Sequence, residues 1–308
     1  MAGIIVKNLT KKFKEFRAVS NVTFEVAPGR IIGFLGPNGA GKTTTLRMMV
    51  GLSKPNDGSI EIAGKPIKFS NSSSNNKFGY LPEQPSFYGW MSGYEYLIFN
   101  AETFNMVGDD QKKAIKKVLN IVNLFEARDK KISSYSNGMK QRLGIAQALI
   151  NDPEALIMDE PVSALDPIGR REVLNVISSL KGKKTILFST HILSDVDKIC
   201  DDVIIINKGR IITQSSITEL KERYAKPILE IEVDCGAKDI ADKLRTKEWV
   251  DRIEDHGNYI KIWLKDAHIV ENNIPLQELI IQGKSVLKYG LVMPEVEDPF
   301  VNLVDGDK

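Results

Sequence analysis

Gly36-Pro-Asn-Gly-Ala-Gly-Lys-Thr43 fits the pattern G-x-x-x-x-G-K-[ST] at every fixed position. The apolar run Arg30-Ile-Ile-Gly-Phe-Leu35 precedes it, and the helix-like Thr43-Thr-Thr-Leu-Arg-Met-Met-Val50 follows it. Strand, glycine-rich loop and helix form the context in which this pattern holds phosphate. Gly36, Gly39 and Gly41 let the backbone turn sharply, so that successive N–H groups converge on phosphate oxygens. The helix that follows adds its free N–H groups and positive dipole end. Lys42 is placed to reach the β- and γ-phosphates, and the Thr43 hydroxyl to ligate Mg²⁺. The stretch reads as a nucleoside-triphosphate site. The competing reading is a glycine-rich turn that merely precedes a helix, and residues further along decide between the two.

The 308-residue chain has the length of about two domains. It is 42% hydrophobic and 27% charged, ordinary for a protein with a real core. The net charge of +2 argues against nucleic-acid binding through a strongly basic surface. Cys200 and Cys235 are far apart and show no metal-ligand spacing, which suits a reducing compartment. No signal-peptide pattern stands at the N-terminus. No apolar run approaches the ~18–20 residues that span a bilayer, so a role at a membrane would pass through a partner.

Residues 4–6, 22–26 and 59–63 read as a small antiparallel sheet, with turns at Pro28-Gly29 and Asn56-Asp57-Gly58. The polar stretch 71–76 is an exposed loop. Helical periodicity dominates residues 86–150. Ala114, Ile115, Val118, Leu119 and Val122 share one face there, with Asp109 or Asp110 as the cap. Ala155-Leu-Ile-Met158 and Thr185-Ile-Leu-Phe188 are continuous apolar runs, suited to parallel strands covered on both faces. Residues 202–207 and 209–213 read as a hairpin around Lys208. Beyond Pro227 the character changes. Strands at 228–233, 249–254, 259–264 and 285–292 alternate with helices at 237–245 and 274–281, the order of a small ferredoxin-like unit.

Further elements restrict the nucleotide chemistry. Ala155-Leu-Ile-Met-Asp159-Glu160 is an apolar strand ending in two carboxylates. Asp159 can hold Mg²⁺, and Glu160 can polarise an attacking water. Tyr135-Ser-Asn-Gly-Met139 precedes a helix that Ser136 would cap. With these in place, the chain resembles the nucleotide-binding subunits of ATP-binding cassette (ABC) transporters over residues 1–220. The resemblance rests on Phe34-Leu-Gly-Pro-Asn-Gly-Ala-Gly-Lys-Thr-Thr44, Gly79-Tyr-Leu-Pro-Glu-Gln84 and the Ser136 signature. It rests also on Leu156-Ile-Met-Asp-Glu-Pro161, Ser163-Ala-Leu-Asp-Pro167 and Ser189-Thr-His191, which follow in the family's order.

The resemblance implies an α/β fold: a P-loop ABC ATPase core with a mixed sheet, a flanking antiparallel β subdomain and a helical subdomain. It places that ATPase domain at 1–222, with the helical subdomain at 86–150, and a C-terminal accessory α+β domain at 226–308. It implies ATP and Mg²⁺ as ligands. Glu160, His191 and Gln84 resemble the catalytic residues, His191 meeting the γ-phosphate and Gln84 sensing Mg²⁺ and the attacking water. Gly36, Pro37, Asn38, Gly39, Ala40, Gly41, Lys42, Thr43 and Thr44 resemble the family's phosphate-binding residues. Thr43, Gln84 and Asp159 fall at its metal positions. Phe13 sits where the family stacks an aromatic on adenine, with Phe16 as the competing candidate. Ser136, Asn137, Gly138 and Asp166 would serve the ATP of a partner subunit.

Two positions depart from the common signature, Asn137 for glycine and Met139 for glutamine; Asn137 tolerates left-handed backbone angles and so keeps the turn. Ala164 stands where glycine is frequent.

The resemblance implies split-site catalysis: with one phosphate loop and one signature per chain two sites require a dimer, and two intact half-sites in one chain favour a homodimer. Tyr80, Phe87, Tyr88, Trp90, Tyr94, Tyr96, Phe99 and Phe104 crowd the segment around and after Gln84. The family receives a helix of its membrane permease there, so part of the 86–104 cluster, Tyr88 and Trp90 included, is expected to be exposed. Met293-Pro-Glu-Val-Glu-Asp-Pro-Phe300 resembles the ending of ATPases paired with ABC-2-type permeases, mostly exporters. The implied location is the cytoplasmic face of the membrane, through the permease. His256 and His268 lack a carboxylate or cysteine partner at metal spacing and read as surface or structural residues. The alternatives are a soluble ABC ATPase acting on a non-membrane partner such as an assembly scaffold, and a phosphate-loop kinase. The kinase reading leaves the signature, Gln84 and His191 without roles.

Overall fold

The computed structural model of the protein describes residues 3–69, 78–224, 227–234, 236–265, 268–281, 285–292 and 300. Cys235, the 71–76 loop and residues 293–299 of the C-terminal ending lie outside the described residues. The chain divides into two compact units, Met1–Ile217 and Thr218–Lys308.

In the first unit the elements run β1 (Ile4–Phe13), β2 (Phe16–Val26), β3 (Ile31–Leu35), α1 (Lys42–Met49), β4 (Asp57–Ile62), β5 (Lys65–Pro66) and β6 (Phe78–Leu81). Then come α2 (Gly93–Thr103), α3 (Gly108–Ile121), α4 (Asn137–Leu149), β7 (Ala155–Met158), α5 (Pro167–Ser179), β8 (Thr185–Thr190), α6 (Leu193–Ile199), β9 (Asp202–Asn207) and β10 (Arg210–Ser216).

Two sheets form. One is antiparallel, ordered β2-β1-β4-β5. The other is ordered β10-β9-β3-β8-β7-β6, parallel except for the β9–β10 hairpin. Every residue of β3, β7 and β8 is buried, as continuous apolar runs covered on both faces require. In β2, Val22, Phe24 and Val26 are buried and alternate with exposed residues, the pattern of a strand covered on one face. These side chains and those of β3 and α1 share one apolar core. Cys200 is buried, which pushes its thiol pKa up and keeps it inert.

The β-hairpin at the N-terminus is longer than the expected runs. β1 and β2 turn through Lys14 and Glu15, with Phe13 paired to Phe16 and Lys14 at φ 52°. That dipeptide carries none of the Asn-Gly signal that marks such turns. The hairpin around Lys208 is present, Lys208 and Gly209 both taking positive φ. The expected Asp109 or Asp110 cap is not formed. Val107 is the N-cap of α3 without a side-chain bond, and both carboxylates lie in the first turn, where the helix dipole favours them.

The second unit begins within α7 (Ile217–Tyr224). It continues through β11 (Ile228–Val233), α8 (Ala237–Leu244), β12 (Val250–Asp255), β13 (Tyr259–Leu264), α9 (His268–Glu271), α10 (Ile274–Ile281) and β14 (Val286–Val292). Its sheet is antiparallel and ordered β12-β13-β11-β14. Ile231, Ile260 and Ile262 of the sheet and Ile240 and Leu244 of α8 are fully buried in its own core. His256 stacks on Tyr259 with ring centroids 4.7 Å apart, a structural contact. No described helix is long and apolar enough to cross a membrane.

Candidate functional site

The C-terminal ends of neighbouring parallel strands deliver the site. β3 leads into the Gly36–Gly41 loop, β7 into Asp159 and Glu160, β8 into His191 and β6 into Gln84. Ligands of open α/β sheets bind at that edge.

The loop needs its glycines for two different reasons. A Cβ on Gly36 would stand 2.3 Å from the Ile206 carbonyl oxygen, so backbone packs where a side chain would be. Gly41 takes φ 105° and passes beside the Ala18 carbonyl. Helix α1 then starts at Lys42. The Lys42 Nζ donates to the carbonyls of Gly36 at 2.6 Å and Pro37 at 3.3 Å, and lies 3.7 Å from Glu160 Oε1. Burial holds the Lys42 pKa below its ordinary value, although Glu160, Asp159 and Glu83 pull it the other way. The ammonium is therefore short of compensating negative charge, which a phosphate would supply.

The two carboxylates are held differently. Asp159 Oδ1 accepts from Thr43 Oγ1 at 3.2 Å and from Ser189 Oγ at 2.6 Å. Ser189 Oγ also accepts the Glu160 N–H at 2.9 Å. One hydroxyl thus spans both acidic residues, because the β7–β8 register places Met158 opposite Phe188. Glu160 takes φ 45°, rare for a residue with a side chain, and Ser163 holds its carbonyl through both N–H and hydroxyl. Its Oε2 lies 2.9 Å from His191 Nδ1.

A cleft of about 410 Å³ opens over these groups. The whole run Pro37 to Thr44 lines it, with Phe16, Ala18, Glu83, Glu160, Ser163 and His191. Phe16 is the aromatic at the cleft. Phe13 sits on the other strand of the hairpin with the Lys11 ammonium 5.1 Å from its ring centre. Gln84 is exposed on the bend after β6, next to Glu83.

Asp159 and the Thr43 hydroxyl offer adjoining hard oxygen donors. No three acidic, His or Cys side chains cluster as metal ligands among the described residues. The pair suits Mg²⁺, which takes one or two carboxylates and completes its shell from water and phosphate.

Ser136, Asn137, Gly138 and Asp166 stand apart from the cleft. Ser136 caps α4 by accepting from the Met139 N–H at 3.2 Å. Asn137 is the first residue of that helix and does not take positive φ, so the left-handed argument for it does not apply. A helical first position accepts Asn without strain. Asp166 caps α5, accepting from the Gly169 N–H at 2.6 Å, and Pro167 occupies the first turn. The two helix starts abut: a Cβ on Gly138 would lie 3.1 Å from the Gly169 Cα.

Beyond Gln84 the aromatic cluster splits. Tyr88 and Trp90 are 50% and 69% exposed, and Phe99 44%. The Tyr88 ring centre lies 6.1 Å from that of Trp90 and 5.9 Å from that of Phe99. Tyr96 is buried, edge-on to Phe87, and its hydroxyl donates to Gln147.

Comparison with known proteins agrees with the fold. The family profile described as ABC transporter matches residues 19–163. The ABC transporter ATP-binding protein YxlF of Bacillus subtilis (strain 168) is 37% identical over 97% of this chain and 98% of its own length. The bacitracin transport ATP-binding protein BcrA of Bacillus licheniformis is 37% identical over 97% of this chain and 96% of its own. A solved ATP-binding subunit of an ABC transporter superposes with a TM-score of 0.65 at 28% identity, covering 72% of this chain and 93% of that one. The chain belongs to the ABC transporter ATP-binding proteins. It is an ATPase, the subunit that energises transport through a separate membrane permease.

Sequence reasoning gave no role to Ser189 or Glu83. Ser189 opens the Ser189-Thr-His191 stretch, but its bridge depends on strand register, which no motif encodes. Glu83 carried a signal of its own, an acidic side chain beside Gln84 at a strand end.

Proposed function

We propose that two copies of this chain close on two ATP molecules, each held by one copy's Gly36–Thr44 loop and covered by the other copy's Ser136, Asn137, Gly138 and Asp166. The observation that supports this most is the convergence of Lys42, Thr43, Glu160 and His191 on one open cleft, with Asp159 bonded to the Thr43 hydroxyl. The four partner-facing residues stand outside that cleft at two abutting helix starts.

In this reading Lys42 and His191, both beside the Glu160 carboxylate, turn to the γ-phosphate when ATP enters. Glu160 is then left to accept a proton from water as the water oxygen attacks the γ-phosphorus and the bond to the β-phosphate oxygen breaks. Thr43 and Asp159, with Gln84 from the β6 end, would hold Mg²⁺. When bound, the ion neutralises charge on the β- and γ-phosphates. Adenine stacks on Phe16 rather than Phe13, because Phe16 lines the cleft. Loss of the γ-phosphate removes the bridge between copies and the dimer reopens.

The exposed Tyr88, Trp90 and Phe99, which follow Gln84 in sequence, form the surface for a helix of an ABC-2-type permease. The chain then sits on the cytoplasmic face of the membrane, held by that permease. The ending at 293–300 favours export. The similarity to a bacitracin transport ATP-binding protein makes a peptide antibiotic the first cargo to assay. Residues 226–308 are read as a ferredoxin-like accessory domain, on its strand order and alternation of strands with helices.

Gentle-detergent purification of the tagged chain from its native cells, followed by mass spectrometry, tests this. A polytopic membrane protein is expected. Reproducible recovery of only ribosomal proteins or a soluble scaffold would overturn the transporter partner.

A further inference from the structure

Helix α4 is fastened to the loop that carries Glu160 by one buried side chain. Gln141 lies one turn into the helix and is 5% exposed. Its Nε2 donates to the Pro161 carbonyl at 3.1 Å. Pro161 follows Glu160 and has no N–H with which to anchor itself. The Glu160 backbone, at φ 45°, is otherwise held by Ser189 on its N–H and by Ser163 on its carbonyl. Gln141 adds a third hold, and the only one of these three that comes from α4.

The rest of α4 is braced. Gly138 packs closely on Gly169, where an added Cβ would lie 3.1 Å from the Gly169 Cα. Arg142 pairs with Glu172 of α5 at 3.1 Å and donates to the Val122 and Asn123 carbonyls at the end of α3. The Ser136 end of α4 and Gln141 thus belong to one braced segment, and Gln141 joins that segment to Pro161.

We propose that Gln141 is a positioning residue for the Glu160 carboxylate of its own chain, coupling that carboxylate to the Ser136–Gly138 segment. The proposal rests on the split-site dimer above, in which that segment meets the partner's ATP. Removing the amide releases the Pro161 carbonyl, lets the left-handed Glu160 backbone relax and moves the carboxylate out of line. Misplacement of about 1 Å, caused away from the reacting atoms, can lower a rate about 10²-fold.

Mixed dimers of differently tagged chains test it. One chain keeps Glu160 and the other carries Glu160→Gln, so turnover reports a single site. Gln141→Met on the chain that keeps Glu160 is expected to lower turnover about tenfold or more, with the KM for ATP within about twofold. The same substitution on the Glu160→Gln chain is expected to leave turnover within about twofold. Equal losses from the two placements would overturn the proposal, because the effect would then run through the partner's site or the fold. So would no loss from either. Gln141→Glu, equal in size but without the amide donor, makes the same comparison if the Met variant does not fold. Failure of the Glu160→Gln chain to pair with the parent in ATP would instead defeat the split-site reading, and the proposal with it.

Discussion

His191 Nδ1 lies 2.9 Å from Glu160 Oε2, and the other oxygen of the same carboxylate lies 3.7 Å from the Lys42 ammonium. One side chain therefore joins the glycine-rich loop after β3 to the end of β8, across the C-terminal edge of the parallel strands. The relationship gives Glu160 two neighbours that both have reason to turn toward an incoming phosphate.

Glu160→Gln keeps the volume and removes the base. Its turnover is expected to fall about 10²–10⁴-fold while ATP affinity is retained. Phosphate release and a nucleotide titration measure the two separately. Near-parental turnover would remove Glu160 from the proton-accepting role.

Ser189→Ala is expected to be costly in a second way. It orphans the buried Glu160 N–H and takes one donor from Asp159. A loss of about 1–3 kcal/mol in stability is expected, together with slower hydrolysis. Urea denaturation and an ATPase assay read both, and an unchanged midpoint would show that the bridge is not formed in solution.

Lys42→Met should abolish most ATP binding without unfolding the protein. Lys42 has a depressed pKa in the folded state, mainly through burial. Between that value and the ordinary 10.5, the unfolded chain binds the extra proton, so raising the pH favours the folded state. The parent is thus expected to gain stability relative to Lys42→Met between neutral pH and about pH 10. Urea midpoints at the two ends of that range check the sign.

Much of the site was legible because its motifs are local. The phosphate loop, the Asp159–Glu160 strand end and the Ser136 cap each follow from a handful of adjacent residues. The strand limits at Ile228–Val233 and Tyr259–Leu264 coincide with the alternation read from sequence. The Lys14-Glu15 turn was not legible, because it adopts a left-handed angle without a residue that advertises one. The choice between Phe13 and Phe16 depends on where that turn falls. The Ser189 bridge and the Gln141 hold join residues far apart in sequence, through strand register and helix packing that no single segment specifies.

Tyr88→Ser with Trp90→Ser separates partner binding from catalysis. Trp90 is 69% and Tyr88 50% exposed, and Tyr88 packs against Trp90 and Phe99, so a stability loss of about 0.5–1.5 kcal/mol is expected. ATP hydrolysis by the isolated chain should persist, while co-purification with a membrane protein is lost. Retained co-purification would place the docking surface elsewhere.

The most direct test is the mass of the Glu160→Gln chain in solution, by light scattering, with and without ATP and Mg²⁺. A shift to twice the chain mass is expected with ATP, reversed by exchange into ADP. A mass that stays that of one chain at saturating ATP would contradict ATP-driven closure of two split sites.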